Sequence, residues 1–247
     1  MVRSLLVRGM LVGLAAGVLA FGFAYAFGEP SVQAAIDFED RLAQRNHEPA
    51  GEEVVSRGTQ RTAGLLTATV AIGVAFGGLF GLAFAWAYGR IGALGARATA
   101  ALLALGTYVT VTLVPFTKYP ANPPATTSAE TIDKRTALFV AMIVISILAA
   151  VAAVRLRREL LARLGAWNAA IAAAVAFVAV IALAELILPA VSELPAGFPA
   201  AVLWEFRVAS LGTSAVLWAT IGLGFGFVAE QLLAARVARG AEAAARA

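Results

Sequence analysis

Six stretches of about 20 mostly apolar residues constrain this chain more than any other feature. A helix of that length crosses the roughly 30 Å hydrocarbon core of a bilayer. Only 14% of the residues are charged, whereas a soluble domain carries about 25%. The sequence therefore predicts an all-α integral membrane bundle of six transmembrane helices, formed as a single domain by residues 1–247. The stretches lie at about residues 7–27, 62–86, 98–116, 136–154, 169–188 and 208–233.

The distribution of basic residues predicts that both termini face the cytoplasm. With the N-terminus inside, the inner segments carry eleven basic and three acidic residues. The outer side, counting Glu185, carries eight basic and twelve acidic residues. Because Arg and Lys accumulate in cytoplasmic loops, we expect an N-in, C-in, multi-pass protein of the plasma membrane, and the basic pI needs no nucleic-acid partner. The predicted outer segments are about residues 28–61, 117–135 and 189–207.

Glycines at four-residue spacing predict close packing between helices. Lipid gives little hydrophobic drive for helix association, so small residues that let two backbones approach are favoured at the contact. The first stretch also resembles a signal peptide that ends in Ala24-Tyr25-Ala26, but its length and glycine pattern favour a retained helix. The glycines in the first two stretches are Gly9, Gly13, Gly17, Gly73, Gly77 and Gly81.

The first outer segment predicts a short amphipathic helix on the outer surface. Ser31, next to Pro30, is placed to cap the start of this helix, and the helix is expected to end near residues 46–49. Asp37 and Arg41 are four residues apart and can pair. The apolar face at helical spacing comprises Val32, Ala35, Ile36, Leu42 and Ala43.

The other two outer segments are broken by proline. Residues 115–124 contain four prolines, and residues 194–207 are apolar but interrupted by Pro195 and Pro199. Proline prevents a regular helix and favours an extended path. Irregular backbone at membrane depth is tolerated only where it is buried in protein or lines a wet cavity. We therefore expect these segments to be non-helical and to fold partly back into the outer mouth of the bundle.

Five residues are candidate ligands for a divalent cation, since carboxylates and imidazole suit hard or borderline ions. Glu185 lies near the outer end of the fifth stretch and either pairs with Arg207 or lies on a permeation path. The acids at outer helix ends are ordinary interfacial residues or line a vestibule, and the single histidine is a solvated loop residue or a ligand. The candidates are Glu185, Glu29, His47, Glu205 and Glu193.

The residues that are absent from the sequence exclude several function classes. The chain has no cysteine and one histidine, so thiolate metal sites, iron–sulfur clusters and multi-histidine sites cannot form. There is no P-loop for ATP hydrolysis and no H-E-x-x-H zinc motif. We therefore expect no enzyme activity and no cofactor.

Four strings of residues carry a resemblance to a known family. They are Gly28-Glu29-Pro30, residues 55–61, residues 118–124 and residues 198–210. In these strings the chain resembles the CbtA family of cobalt transporter subunits, and the likeness runs from the first span to the sixth.

The resemblance implies Co²⁺ uptake linked to cobalamin metabolism and a small, single-span, histidine-containing partner, CbtB. Other members have a more histidine-rich first loop, whereas this loop has only His47, which makes ligands from a partner more important. Two functions remain open besides Co²⁺ uptake. One is transport of another divalent cation such as Ni²⁺, and the other is that of a structural or assembly subunit without its own transport path.

Overall fold

The computed structural model describes residues 2–47, 55–90, 92–124, 126, 131–191 and 194–245, and these residues contain helices and no strand. Three π-helical segments, Ala24–Gly28, Gln60–Gly64 and Tyr108–Leu113, join consecutive α-helices without a break. The helices are α1 (Val2–Phe23), α2 (Glu29–Asn46), α3 (Arg57–Thr59), α4 (Leu65–Ala87), α5 (Ala96–Thr107), α6 (Val114–Lys118), α7 (Ile132–Ile187) and α8 (Ala200–Ala245).

Five helices in the described residues are long and apolar enough to cross a membrane. Together they contain all six predicted stretches, because α7 holds two of them. The 56 residues of α7 would span about 84 Å as one straight helix, well beyond one membrane thickness. The five helices are Val2–Asn46, Arg57–Ala87, Ala96–Lys118, Ile132–Ile187 and Ala200–Arg236.

Gly165 divides α7 into two parts that fold back on each other. Its φ of 73° and ψ of 170° are non-helical, a conformation that glycine adopts without a steric penalty. Met142 in the first part and Ile181 in the second belong to one buried cluster, so the chain reverses direction at Gly165. The first part, residues 132–164, is about 50 Å long, and the second part, residues 166–187, about 33 Å.

The chain divides into two compact units. Unit 1 comprises Met1–Pro30, Gly51–Leu105 and Gly212–Ala247. Unit 2 comprises Ser31–Ala50 and Gly106–Leu211. Unit 2 contains the α7 hairpin and most of the predicted outer segments. The expectation of one continuous membrane domain stays a prediction.

In unit 1, α1 and α4 lie antiparallel with their backbones in contact, as the glycine pattern predicts. Gly9 faces Gly77, and Gly13 faces Gly73 so closely that a β-carbon on Gly13 would overlap the Gly73 carbonyl oxygen. A β-carbon on Gly17 would lie 2.6 Å from the Thr69 carbonyl oxygen. The predicted role of these glycines in helix packing is confirmed.

The predicted cap of the first outer helix is wrong. The chain passes from α1 through the π-helical segment into α2 without leaving the helix, with the Glu29 N–H bonded to the Ala24 carbonyl. Ser31 is therefore an interior helical residue, only 2% exposed. The wider π turn is the kind of irregularity that lets a helix continue past a proline such as Pro30. The helix ends at Asn46, as predicted.

The other two outer segments are more helical than predicted. Pro115 lies within the first turn of α6, a position where its missing N–H leaves few helix bonds unmade. Helix α8 begins at Ala200, so residues 200–207 are helical, and the described non-helical residues between α7 and α8 are 188–191 and 194–199. The Leu203 N–H bonds to the Pro199 carbonyl at 3.2 Å, which shows that a proline at this position starts the helix rather than breaking it.

Candidate functional site

The carboxylate of Glu185 lies in unit 2, half-buried beside the C-terminal end of α6. Thr117 Oγ1 donates a hydrogen bond of 2.5 Å to Glu185 Oε1. Lys118 Nζ donates to the backbone carbonyl of Glu185 at 2.7 Å. Arg207 bonds elsewhere, with Nε donating to the Ala121 carbonyl and Nη2 to Asn122 Oδ1. Of the two roles that the sequence predicts for Glu185, the ion pair with Arg207 is therefore not formed.

A backbone irregularity in the third span sets the position of Thr117. In the π-helical segment before α6, the Val114 N–H bonds to the Val109 carbonyl, five residues back. By the same five-residue spacing, the Thr110 carbonyl would accept from the backbone N–H of residue 115, but Pro115 has no N–H. Ser146 Oγ on α7 supplies the missing donor and bonds to the Thr110 carbonyl at 2.6 Å. Ser146 is 0% exposed, so this buried contact fixes the third span against α7.

Tyr119 connects the two non-helical segments of unit 2. Its side chain is buried among α7 residues, and its hydroxyl donates to the Pro189 carbonyl at 2.8 Å. Burial raises the pKa of the Tyr119 phenol, so the group remains protonated and keeps its donor at neutral pH. The contact ties the segment after α6 to the segment after α7.

A small pocket near Tyr119 is lined by arginine and does not suit a divalent cation. Arg135 Nη2 donates to the Pro120 carbonyl at 2.5 Å. Arg135 and Arg207 thus both donate hydrogen bonds to residues 120–122. Among its described lining residues there are two guanidinium groups and no acidic side chain, so the local potential is unfavourable for Co²⁺. The lining residues are Tyr119, Pro120, Asn122, Arg135, Val191, Leu194 and Arg207.

The other predicted ligands differ in their surroundings, and one of them lies outside the described residues. In unit 1, the Glu29 carboxylate accepts a charge-assisted hydrogen bond from Arg57 Nη2, and its side chain is only 15% exposed. In unit 2, Glu205 is exposed on α8, and His47 is exposed at the end of α2 with a left-handed φ of 56°. Glu193 lies outside the described residues.

The described residues contain no group of three or more His, Cys, Asp or Glu side chains close enough to hold a metal ion. The metal-binding role of the five candidate ligands stays a prediction. Sequence reasoning missed Thr117 and Lys118, which bond to Glu185, and Ser146, which bonds to the third span. One signal for Ser146 was present, because it is the one polar residue between Thr136 and the end of the fourth apolar stretch. A lone hydroxyl in such a stretch is expected to bond to a backbone carbonyl.

These features define a multi-helix membrane protein with irregular, proline-containing segments beside a half-buried carboxylate. The family model "Probable cobalt transporter subunit (CbtA)" matches residues 2–230, and the chain belongs to this family. It is accordingly a member of a family of transporter subunits, not of an enzyme family, and a subunit works with partner proteins in a complex. No curated protein and no solved structure matches the chain.

Proposed function

We propose that this chain provides the permeation path of a Co²⁺ uptake system in the plasma membrane, together with a small histidine-containing, single-span partner of the CbtB type. The observation that carries the proposal is the half-buried Glu185 carboxylate, held by Thr117 next to two non-helical segments. An ionisable residue at membrane depth is by default a candidate for an ion pathway. The acids of the predicted outer segments would concentrate the cation at the entrance.

Six spans with both termini inside are part of this proposal. The reversal at Gly165 supports two crossings within α7, because each part is as long as one hydrocarbon core or longer. The excess of arginine in the segments predicted to be internal supports the orientation. The single-domain organisation of the six spans belongs to the same proposal.

The lengths of the two α7 parts support a partly re-entrant outer mouth. Both parts start at the Gly165 turn, and the second is about 17 Å shorter than the first. The non-helical chain from Leu188 onward therefore begins alongside the first part, where Leu188 and Val191 pack against the cluster that contains Met142. Irregular backbone at such a depth requires protein cover or a wet cavity, which is what an entrance would supply.

The chemistry of Glu185 suits transient binding of a hydrated cation. One carboxylate oxygen accepts from Thr117, and the other has no hydrogen-bond partner among the described residues, which suits an oxygen-coordinated ion. The ammonium group of Lys118, bonded to the Glu185 carbonyl, would weaken cation binding and so favour release, as conduction requires. The membrane potential gives a divalent ion about 4.6 kcal/mol per 100 mV, so uptake needs no ATP hydrolysis by this chain.

The test is isotope uptake in a cobalt-transport-deficient host that expresses this chain with its partner. We expect Glu185→Gln to reduce Co²⁺ uptake by about tenfold or more, equivalent to ~1.4 kcal/mol, with unchanged protein in the membrane. The matched control is Glu159→Gln, which removes an exposed carboxylate of α7 in a segment predicted to be internal and should leave uptake unchanged. Undiminished uptake by Glu185→Gln would reject the path role, and parallel assays with Ni²⁺ establish which cation is preferred.

A structural or assembly subunit is the second candidate function. Its supporting observation is that Glu185 already has partners on both its carboxylate and its carbonyl, as a purely structural contact would. In that case Glu185→Gln should lower the amount of assembled complex as much as it lowers uptake. A path residue should lower uptake alone, so the ratio of uptake to assembled protein distinguishes the two functions.

A further inference from the structure

The segment just before the Gly165 turn carries a basic face that neither the family match nor the proposed transport path explains. We propose that residues 155–164 bind the headgroups of anionic phospholipids at the membrane surface. The inference does not rest on cobalt transport. It rests on the helical geometry, the exposure and the charge of this part of unit 2.

Residues 155–164 form an amphipathic helix at the end of the first part of α7. At 100° per residue, Arg155, Arg158 and Arg163 fall on one side of the helix together with Glu159. The leucines fall on the other side, with Arg157 among them, so the segment differs from the uniformly apolar stretch that precedes it. They are Leu156, Leu160, Leu161 and Leu164.

The exposure of this segment is typical of a helix at the membrane interface. Leu161 and Leu164 are 42% and 44% exposed, and Trp167 is 77% exposed just after the turn. Helices at the bilayer interface combine basic residues on one face with Leu and Trp on the other, and Trp prefers the headgroup level. Exposed leucines beside exposed arginines fit a bilayer surface better than either bulk water or hydrocarbon.

The charge and the position of the segment favour lipid phosphate as its ligand. It holds four arginines and one glutamate, and a guanidinium group binds phosphate oxygens in a bidentate geometry. The apolar stretch 136–154 ends immediately before Arg155, so Arg155 and Arg158 lie within about 6 Å of the end of the hydrocarbon along the helix. Phosphate groups of the adjacent leaflet occupy this level, whereas a protein ligand would have to compete with them.

Tryptophan quenching by brominated lipids tests the proposal on the full-length protein in vesicles. Trp86 and Trp204 are replaced by phenylalanine, which leaves Trp167 as the exposed reporter and Trp218, 6% exposed, as the buried one. A Trp167→Phe version of this variant gives the Trp218 signal for subtraction. Brominated phosphatidylglycerol and brominated phosphatidylcholine are then compared at equal mole fraction in the same phosphatidylcholine vesicles.

We expect Trp167 to be quenched more by the brominated phosphatidylglycerol than by the brominated phosphatidylcholine. In Arg155→Gln/Arg163→Gln this excess should be lost, since each arginine near the surface contributes on the order of fivefold to local enrichment of anionic lipid. The matched control, Arg41→Gln/Arg45→Gln, removes two exposed arginines of α2 and should keep the excess. Equal quenching by the two lipids would overturn the proposal. It would leave a protein as the binding partner of residues 155–164. An excess that survives in the first double variant, or that disappears in both, also overturns it.

Discussion

Each of the two units is stabilised internally by a different kind of helix contact. In unit 1, α1 and α4 meet through their backbones, with Gly9 and Gly13 facing Gly77 and Gly73. In unit 2, side-chain donors reach backbone carbonyls far away in sequence, as Ser146 does for Thr110 and Tyr119 for Pro189. The backbone contact of unit 1 forms only where neither helix has a side chain. Each contact of unit 2 depends on a single hydrogen-bond donor side chain.

This difference follows from the backbone at each of the two contacts. Regular helices satisfy their own N–H and C=O groups, so α1 and α4 gain stability by close approach and dispersion. The π-helical segment before Pro115 leaves the Thr110 carbonyl without its helical donor, and a carbonyl left unpaired in an apolar environment is costly. The irregular region that forms the proposed mouth therefore depends on polar side chains from neighbouring helices.

The largest effect is expected where a side chain is added to the backbone contact of unit 1. Gly13→Ala places a β-carbon against the Gly73 carbonyl oxygen, so α1 and α4 must separate along their contact. The free energy of unfolding should fall by at least the roughly 1–3 kcal/mol typical of overpacking. Unfolding of the detergent-solubilised protein in mixed micelles measures the change.

Gly22→Ala on the same helix is the matched control, because nothing lies within 4 Å of a β-carbon at this position. It should be neutral or stabilise the protein by up to about 1 kcal/mol, as expected for glycine to alanine in a helix. Equal stability of the two variants would show that the α1–α4 contact is looser than the glycine register indicates.

The sequence predicted the fold of unit 1 better than that of unit 2. The spacing of Gly9, Gly13 and Gly17 is a local, repeated pattern, and its physical meaning does not depend on which helix is the neighbour. The same is true of the apolar stretches, including the two that α7 contains. By contrast, residues 200–207 of unit 2 were predicted to be non-helical, because no residue pattern in the sequence indicates that Pro199 starts a helix instead of interrupting one.

The second effect concerns the buried hydrogen bond of unit 2. Ser146→Ala removes the donor to the Thr110 carbonyl, which Pro115 cannot replace. Leaving a buried acceptor unpaired costs about 1–3 kcal/mol, and the same unfolding assay should show a loss of this size. Because Ser146 holds the third span opposite α7, Co²⁺ uptake per folded protein should also decrease.

Ser210→Ala is the control for the second prediction. Ser210 Oγ bonds to the Phe206 carbonyl within its own helix at 2.8 Å, and this carbonyl sits in a regular turn that does not depend on the hydroxyl. Its loss should change the free energy of unfolding by less than about 0.5 kcal/mol. If both serine variants were equally stable, the Thr110 carbonyl would have another donor, and the proposed dependence of unit 2 on polar side chains would be wrong.

The candidate site shows the same limit of sequence reasoning. Glu185 was identifiable because a carboxylate near a span end is rare and costly. Its partners Thr117 and Lys118 lie almost 70 residues away along the chain, and only the packing of α6 on α7 brings them to it. Arg207 was the obvious electrostatic partner, but it donates to residues 121–122 instead, because the proline-rich backbone there makes few bonds of its own.

The smallest effect is expected at a residue that takes part in neither kind of contact. His47 is exposed at the end of α2, and its backbone N–H bonds to the Gln44 carbonyl at 3.4 Å. His47→Asn removes the imidazole but keeps a residue type that accepts a left-handed φ. Stability should change by less than about 0.5 kcal/mol, and Co²⁺ uptake by less than about twofold. A complete loss of uptake with a stable protein would instead identify the imidazole as a metal ligand. The proposed ion pathway would then depend on the first outer segment and not on Glu185.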